Sequence, residues 1–271
     1  MRSVSHPSSS SKKLFRTGKQ QVYSKRLSEF AQTQSISIQH PQLTNPTHDL
    51  LQKACAYYEL QLYTSAKEIF QKITNIYPHP DIYCLLTSCC IYLNDLDEAQ
   101  IYLEEIISFS NPKYRASIWQ LSAELALQQN HYLAAIVALR QYLKYKPMDG
   151  GVWKVLGLCL LTEKKYREAL FVFFRYARLT PPDADTLLLL AYTFCKCGND
   201  IRAMEIVRAA LKQFPYHEYL ALLGSFLAFR LQRPLEGLKY CHRVLYLQPE
   251  HPIAHMHVYL HKWYNTQHSV H

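Results

Sequence analysis

Along most of the chain, apolar residues return at helical spacing in short runs, and polar turns or prolines separate the runs. The stretch GGVWKVLGLCLLTEKKYREALFVFFRYARLTP, residues 150–181, shows the unit. It reads as two helices with a turn between them, closed by Pro181, whose ring cannot continue a helical turn.

The same unit precedes it. In SIWQLSAELALQQNHYLAAIVALRQYLKYKP, residues 117–147, Trp119 corresponds to Trp153, Ala123 to Gly157 and Tyr132 to Tyr166. Ala135 corresponds to Ala169, Leu139 to Phe173 and Pro147 to Pro181, and every pair has the same offset. The register continues through Ala203 and Pro215, then Gly237 and Pro249. Upstream it passes through Tyr63, Ala66, Phe70 and Pro78, and more weakly around Leu96 and Ala99. The small residues Ala66, Ala99, Ala135, Ala169, Ala203 and Gly237 are 33, 36, 34, 34 and 34 apart. A fixed period of that size predicts an all-α solenoid of helix pairs.

Packing geometry explains the residue types. Two antiparallel helices approach closely where one offers a small side chain to a bulky one on the other. Ala123, Gly157, Ala191 and Ser225 leave that room on first helices, and Ala135, Ala169, Ala203 and Gly237 on second helices. Trp119, Trp153 and Leu187, with Leu139, Phe173 and Val207, are expected to fill the shared core. Tight turns such as CGND, residues 197–200, join the two helices of a pair.

From Thr47 to Pro249 this pattern resembles the tetratricopeptide repeat family. The resemblance implies a right-handed solenoid of six helix-turn-helix repeats, at 47–79, 80–115, 116–149, 150–183, 184–217 and 218–251. The repeat at 80–115 fits least: it lacks the closing proline, holds Thr87 and Cys90 at the small and aromatic positions, and has two extra residues after it. Pro252–Tyr264 reads as a capping helix, and 265–271 as a short C-terminal tail. Residues 1–46, serine-rich and basic, cannot bury a core and are expected to be disordered.

Charge divides along the same boundary. The net +9 of the whole chain falls as +6 on residues 1–46, where Glu29 is the one acid, and +3 on residues 47–271. A nearly balanced body argues against a phosphate-binding stripe, so a helical-repeat nucleic-acid binder using the basic tail is the alternative reading, not the first. The tail also admits a mitochondrial transit peptide, an anionic-surface binder or a bacterial secretion signal. No run of eighteen uncharged apolar residues predicts a membrane span. Eight cysteines in helical stretches, without a secretory signal, point to reduced thiols in a cytoplasm.

Candidate chemistry is sparse. Seven glycines form no GxGxxG or phosphate loop. His251/His255 and His257/His261 have i, i+4 spacing, but the two pairs point to nearly opposite faces, which favours a polar surface over a metal site. Cys195-Lys-Cys197 is not a CxxC motif and reads as a thiol at a helix end. No nucleophile–base or paired-carboxylate arrangement stands out, so no enzyme activity, cofactor, metal or small-molecule substrate is expected.

The family resemblance implies that the first helix of each repeat lines a concave groove holding a partner peptide. Its fifth and ninth positions here are Leu51/Cys55, Cys84/Ser88, Gln120/Glu124, Lys154/Leu158, Leu188/Tyr192 and Leu222/Phe226. The Lys and Asn clamp of members that bind chaperone C-termini is missing. The implied groove is polar in the middle and apolar toward the C-terminus, suited to an apolar or amphipathic segment of a protein partner. Leu188, Tyr192, Leu222 and Phe226 are the expected contacts, with Leu158 beside them and Lys154 at a polar edge. A scaffold or dedicated chaperone follows, and DGGVWKVLGLCLLTEKKYREALFVFFRYARL resembles the tetratricopeptide chaperones of bacterial type III secretion.

Overall fold

The computed structural model describes residues 45–259. The tail predicted for 1–46 lies outside them save for its last two residues, as do the C-terminal tail and the end of the capping helix. Among the described residues every regular element is helical, and they fall into two compact units divided between His131 and Tyr132.

In the first unit, α1 (Asn45–Glu59) pairs with α2 (Tyr63–Ile76), and α3 (Pro80–Leu93) pairs with α4 (Leu96–Ser108). A 3-10 turn (Pro112–Tyr114) then leads into α5 (Arg115–Gln128), which packs beside α3 and α4. The second unit starts with α6 (Tyr132–Tyr145). Three pairs follow: α7 (Gly150–Thr162) with α8 (Tyr166–Leu179), α9 (Ala184–Lys196) with α10 (Asp200–Gln213), and α11 (Glu218–Arg230) with α12 (Pro234–Leu247). Residues 252–259 are helical again, as expected of a cap. Within each unit every second helix also packs on the next first helix.

Each second helix buries the same triplet at i, i+4 and i+7, one stripe of a helical surface. The triplets are Ala66/Phe70/Ile73, Ala99/Leu103/Ile106, Ala135/Leu139/Tyr142, Ala169/Phe173/Tyr176, Ala203/Val207/Ala210 and Gly237/Cys241/Val244. Within each unit, a first helix such as α3 packs on both its own partner and the preceding second helix, and so is buried on more of its circumference. On α3 the buried set includes Ile82, Leu85, Leu86, Cys89, Cys90 and Ile91. The least regular repeat therefore folds as an ordinary pair. Its two extra residues are absorbed in the 3-10 turn, which Asn111 caps by accepting the Lys113 N–H.

The small positions are where the sequence placed them. A Cβ added to Gly157 would run into the Phe173 ring, and one on Gly237 would stand 2.9 Å from Phe229. Phe173 is fully buried, so it has little room to yield. The large first-helix residues lie shallower than expected of core: Trp119, Trp153 and Leu187 are all half-buried. The Trp153 indole N–H donates to the Pro147 carbonyl at 2.8 Å, and Arg175 lies over the ring.

Two further regularities escaped the sequence pattern. The turn inside each repeat holds one left-handed residue at the same register position: Gln61, Asn94, Asn130, Lys164, Gly198 and Gln232. In each, the next residue's N–H reaches back into the first helix, as Lys165 does to Leu160 and Arg233 to Ala228, capping its carbonyl end. Gly198 alone among them is a glycine. Ion pairs also join second helices of successive repeats: Arg140 with Glu168, and Arg208 with Glu236 at 2.6 Å. Lys67 reaches Asp95 across the same sequence separation in the first unit. Where a repeat carries its closing proline, the second helix stops two positions before it, at Pro78, Pro147, Pro181, Pro215 and Pro249.

The crossing and the turns are both open to test. Gly157→Ala should lower stability by about 1–3 kcal/mol and Gly157→Leu by more, with Phe173→Leu partly rescuing Gly157→Ala. Thermal melts that leave Gly157→Ala equal to the parent would refute the crossing. Lys164→Gly and Gln232→Gly should each stabilise by about 0.5–1 kcal/mol by removing a left-handed Cβ. Gly198→Ala, whose added Cβ touches nothing, should cost about 1 kcal/mol through backbone strain alone.

Candidate functional site

The first helices α9 and α11 lie side by side, which brings together the four residues expected to hold a partner. Leu188 and Leu222 are half-buried and pack against one core cluster with Leu220, Leu227 and Ala191. They form the floor of the face rather than its projections. Phe226 is 44 % exposed and Tyr192 is half-buried. Each ring carries the cation of a residue one helical turn further on: Lys196 Nζ stands 5.2 Å from the Tyr192 centroid, and the Arg230 guanidinium 5.5 Å from that of Phe226.

Arg230 ties three helices to this face. Its Nη2 lies 2.9 Å from Asp200 Oδ2 on α10, and its Nη1 donates to Cys195 Sγ on α9 at 3.5 Å. Sequence reasoning misses Arg230 and Lys196. A signal for them exists, since both stand at the same register position of successive repeats, one turn after the aromatic.

On α7, Leu158 is half-buried, and Lys154 is only 3 % exposed. Lys154 Nζ stands 5.6 Å from the Tyr176 centroid, so this lysine is an internal cation of its own repeat and not a surface edge. Glu124 on α5, expected at a polar groove centre, is buried too and accepts from Gln120 Nε2 at 3.1 Å. Burial pushes the Glu124 carboxyl up to about 7, against the opposing effect of Gln120. Burial also raises the Tyr58 and Tyr92 phenols well above their ordinary value, and the Glu124 charge adds to both. These tyrosines pack through Tyr63, which stacks on Tyr92 at 4.5 Å and meets Tyr58 edge-on at 5.6 Å.

The histidines serve the helix ends. His217 and His251 are caps at the same register position of successive repeats, each accepting a backbone N–H through Nδ1. Their Nε2 atoms face Asp185 and Glu218. His257 Nδ1 pairs with Ser225 Oγ at 3.2 Å, and burial lowers its pKa. His255 contacts the Pro249 carbonyl, and His261 lies outside the described residues. Among the described residues no three His, Cys, Asp or Glu side chains group as metal ligands. Cys195 is buried at its helix end, as expected, and Cys197 is exposed.

Charge is far less even than the body's +3 suggests. Residues 47–131 hold five basic and ten acidic groups, a net of −5, and 132–271 hold eighteen and ten, a net of +8. The near balance is the cancellation of an acidic unit by a basic one.

Three family models, each described as tetratricopeptide repeat, match residues 50–79, 80–112 and 121–184. Over these residues the chain is built of tetratricopeptide repeats. Among solved structures it is similar to YrrB, described as a TPR protein with an unusual peptide-binding site: 16% identity, 68% of this chain and 95% of that one, TM-score 0.60. It is similar to a tetratricopeptide repeat protein from Parabacteroides merdae at 15% identity, with 82% and 88% covered and a TM-score of 0.62. It is also similar to PilF of Pseudomonas aeruginosa at 18% identity, with 78% and 95% covered and a TM-score of 0.58. At these identities the likeness establishes the fold: an all-α tetratricopeptide solenoid. No curated protein sequence matches the chain. No helix among the described residues is long and apolar enough to cross a membrane.

Burial of Glu124 gives stability a pH dependence of known sign. Its folded pKa lies above the ordinary carboxylate value, so the stability linked to its proton is fully present below that value and is lost as pH rises through about 7. Glu124→Gln should therefore raise the melting temperature above pH 7 and leave it nearly unchanged near about pH 4. A variant that melts lower than the parent at high pH would show that the carboxylate is stabilised where it sits.

Proposed function

We propose that this chain is a non-catalytic tetratricopeptide scaffold that holds an apolar or amphipathic segment of a protein partner on the first-helix face of α9 and α11. The exposed ring of Phe226 carries this reading. A large aromatic standing clear of a core that closes without it is the usual make-up of an interface hot spot. Leu188, Leu222 and Tyr192 supply the apolar surround, with Leu158 extending it on α7. Lys196 and Arg230, lying over the two rings, would orient acidic or carbonyl groups of an amphipathic segment. Lys154, which the sequence placed at the edge of this contact, would act through the packing of α7 and not by touching the partner. A dedicated chaperone, including one of the type III secretion kind, would use such a face in this way, in a cytoplasm that keeps the buried thiols reduced.

Tyr192→Ala combined with Phe226→Ala should weaken partner capture by on the order of 2–4 kcal/mol while leaving the melting transition nearly unchanged. Capture from native cells, followed by mass spectrometry and titration of the recovered partner, measures both quantities. A double variant that folds and still captures at full strength would place the working surface elsewhere.

A further inference from the structure

The excess positive charge of the second unit is concentrated on its second helices. Helices α6, α8, α10 and α12 carry ten Lys and Arg against four acids, whereas α7, α9 and α11 carry three against two. Between α10 and α12 this charge lines a cleft of about 790 Å³. Arg208, Arg233, Lys239 and Arg243 surround it, with Glu236 as its one acid. Glu236 is already engaged: Arg208 grips it with two hydrogen bonds, of 2.8 and 2.6 Å, and Arg233 stands 3.9 Å away. Lys239 and Arg243 have no ion pair among the described residues.

Apolar groups bracket these cations. Leu235 is 73 % exposed and Tyr246 82 %, and with Lys239 and Arg243 they run along one side of α12 at near-helical spacing. Exposed leucine and tyrosine beside unpaired cations match a segment that alternates carboxylates with apolar side chains. A phosphate backbone would satisfy the cations and leave Leu235 nothing to meet.

We propose that the cleft between α10 and α12 is a second docking site, sharing no residue with the proposed Tyr192–Phe226 site, for an acidic amphipathic segment of a protein partner. Lys239 and Arg243 take its carboxylates, and Leu235 and Tyr246 take its apolar side chains. Charge complementarity sets the encounter rate and its salt dependence, and the apolar contacts set the residence time.

The test is fluorescence anisotropy on the full chain with a fluorescein-labelled synthetic helix of Glu, Ala and Leu, and with its Lys-for-Glu counterpart as control. The acidic helix should bind and weaken as salt rises, and the basic one should not bind. Lys239→Glu with Arg243→Glu should cost at least about tenfold in affinity, since each reversed charge replaces an attraction by a repulsion. Should that variant fail to melt cooperatively, Lys239→Gln with Arg243→Gln should still lose several-fold. The loss caused by Lys239→Glu with Arg243→Glu should be the same in a background of Tyr192→Ala and Phe226→Ala, so failure of the first site and failure of this one are distinguishable. Binding indifferent to Lys239 and Arg243 would place the probe elsewhere on the chain and overturn the proposal. Generic RNA displacing the probe with the same dependence on Lys239 and Arg243 would make the occupant a nucleic acid and overturn it as well. The acidic α4, with exposed Ile101 and Ile107, offers similar chemistry within this chain. Sedimentation showing salt-sensitive self-association that Lys239→Glu with Arg243→Glu abolishes would put a second copy in the cleft in place of a separate partner.

Discussion

Close approach of two helices at a position with almost no side chain is the constraint on which the rest of this structure depends. A helix pair buries little by itself, and it becomes stable when bulky residues of one helix enter the backbone surface of the other. Gly157 under the Phe173 ring is the tightest instance, and Gly237 against Phe229 is another. Once that crossing is fixed, the second helix can bury only one stripe, which is why the i, i+4, i+7 triplet recurs from repeat to repeat. The first helix, enclosed from two sides, has one narrow strip left for other purposes. That strip carries the candidate partner residues.

The same geometry decides which polar groups become structural. A turn that must reverse the chain in very few residues needs a left-handed residue, and the repeat supplies one each time whether or not it is glycine. Successive second helices lie near enough for Arg208 to reach Glu236 of the following repeat. Helix starts recruit His217 and His251 as caps, so two histidines are spent on backbone N–H groups, one of them from an apparent metal pattern. Polar residues that looked available to a ligand are in large part holding the scaffold. Those left over, among the described residues, are Lys196 over the Tyr192 ring and Lys239 and Arg243 on α12.

Segregation of charge gives the two units different prospects. An acidic first unit and a basic second one sum to a body that looks indifferent to charge. Within the second unit the division continues, with the first helices nearly neutral and apolar and the second helices basic. The second unit therefore offers two surfaces of different chemistry, first helices that are largely apolar and second helices that are basic.

The sequence by itself determined the period, the helix pairs, the small crossing positions, the proline stops and the family, because each depends on residue type at a fixed local spacing. Ala169, Gly157 and Pro181 do the same work in every repeat that carries their equivalents, so repetition made them readable. It also identified the first-helix positions at which Tyr192 and Phe226 stand. Only the tertiary structure decided how deep each position lies. Lys154 and Glu124 share register positions with Leu222 and Phe226, yet both are buried, because exposure depends on the bulk of neighbouring helices and not on the residue's place in the repeat. Trp153 lies half-buried, its indole N–H on the Pro147 carbonyl and Arg175 over its ring. Ion pairs such as Arg208–Glu236 were equally invisible, since residues so distant in sequence meet only when two repeats are stacked.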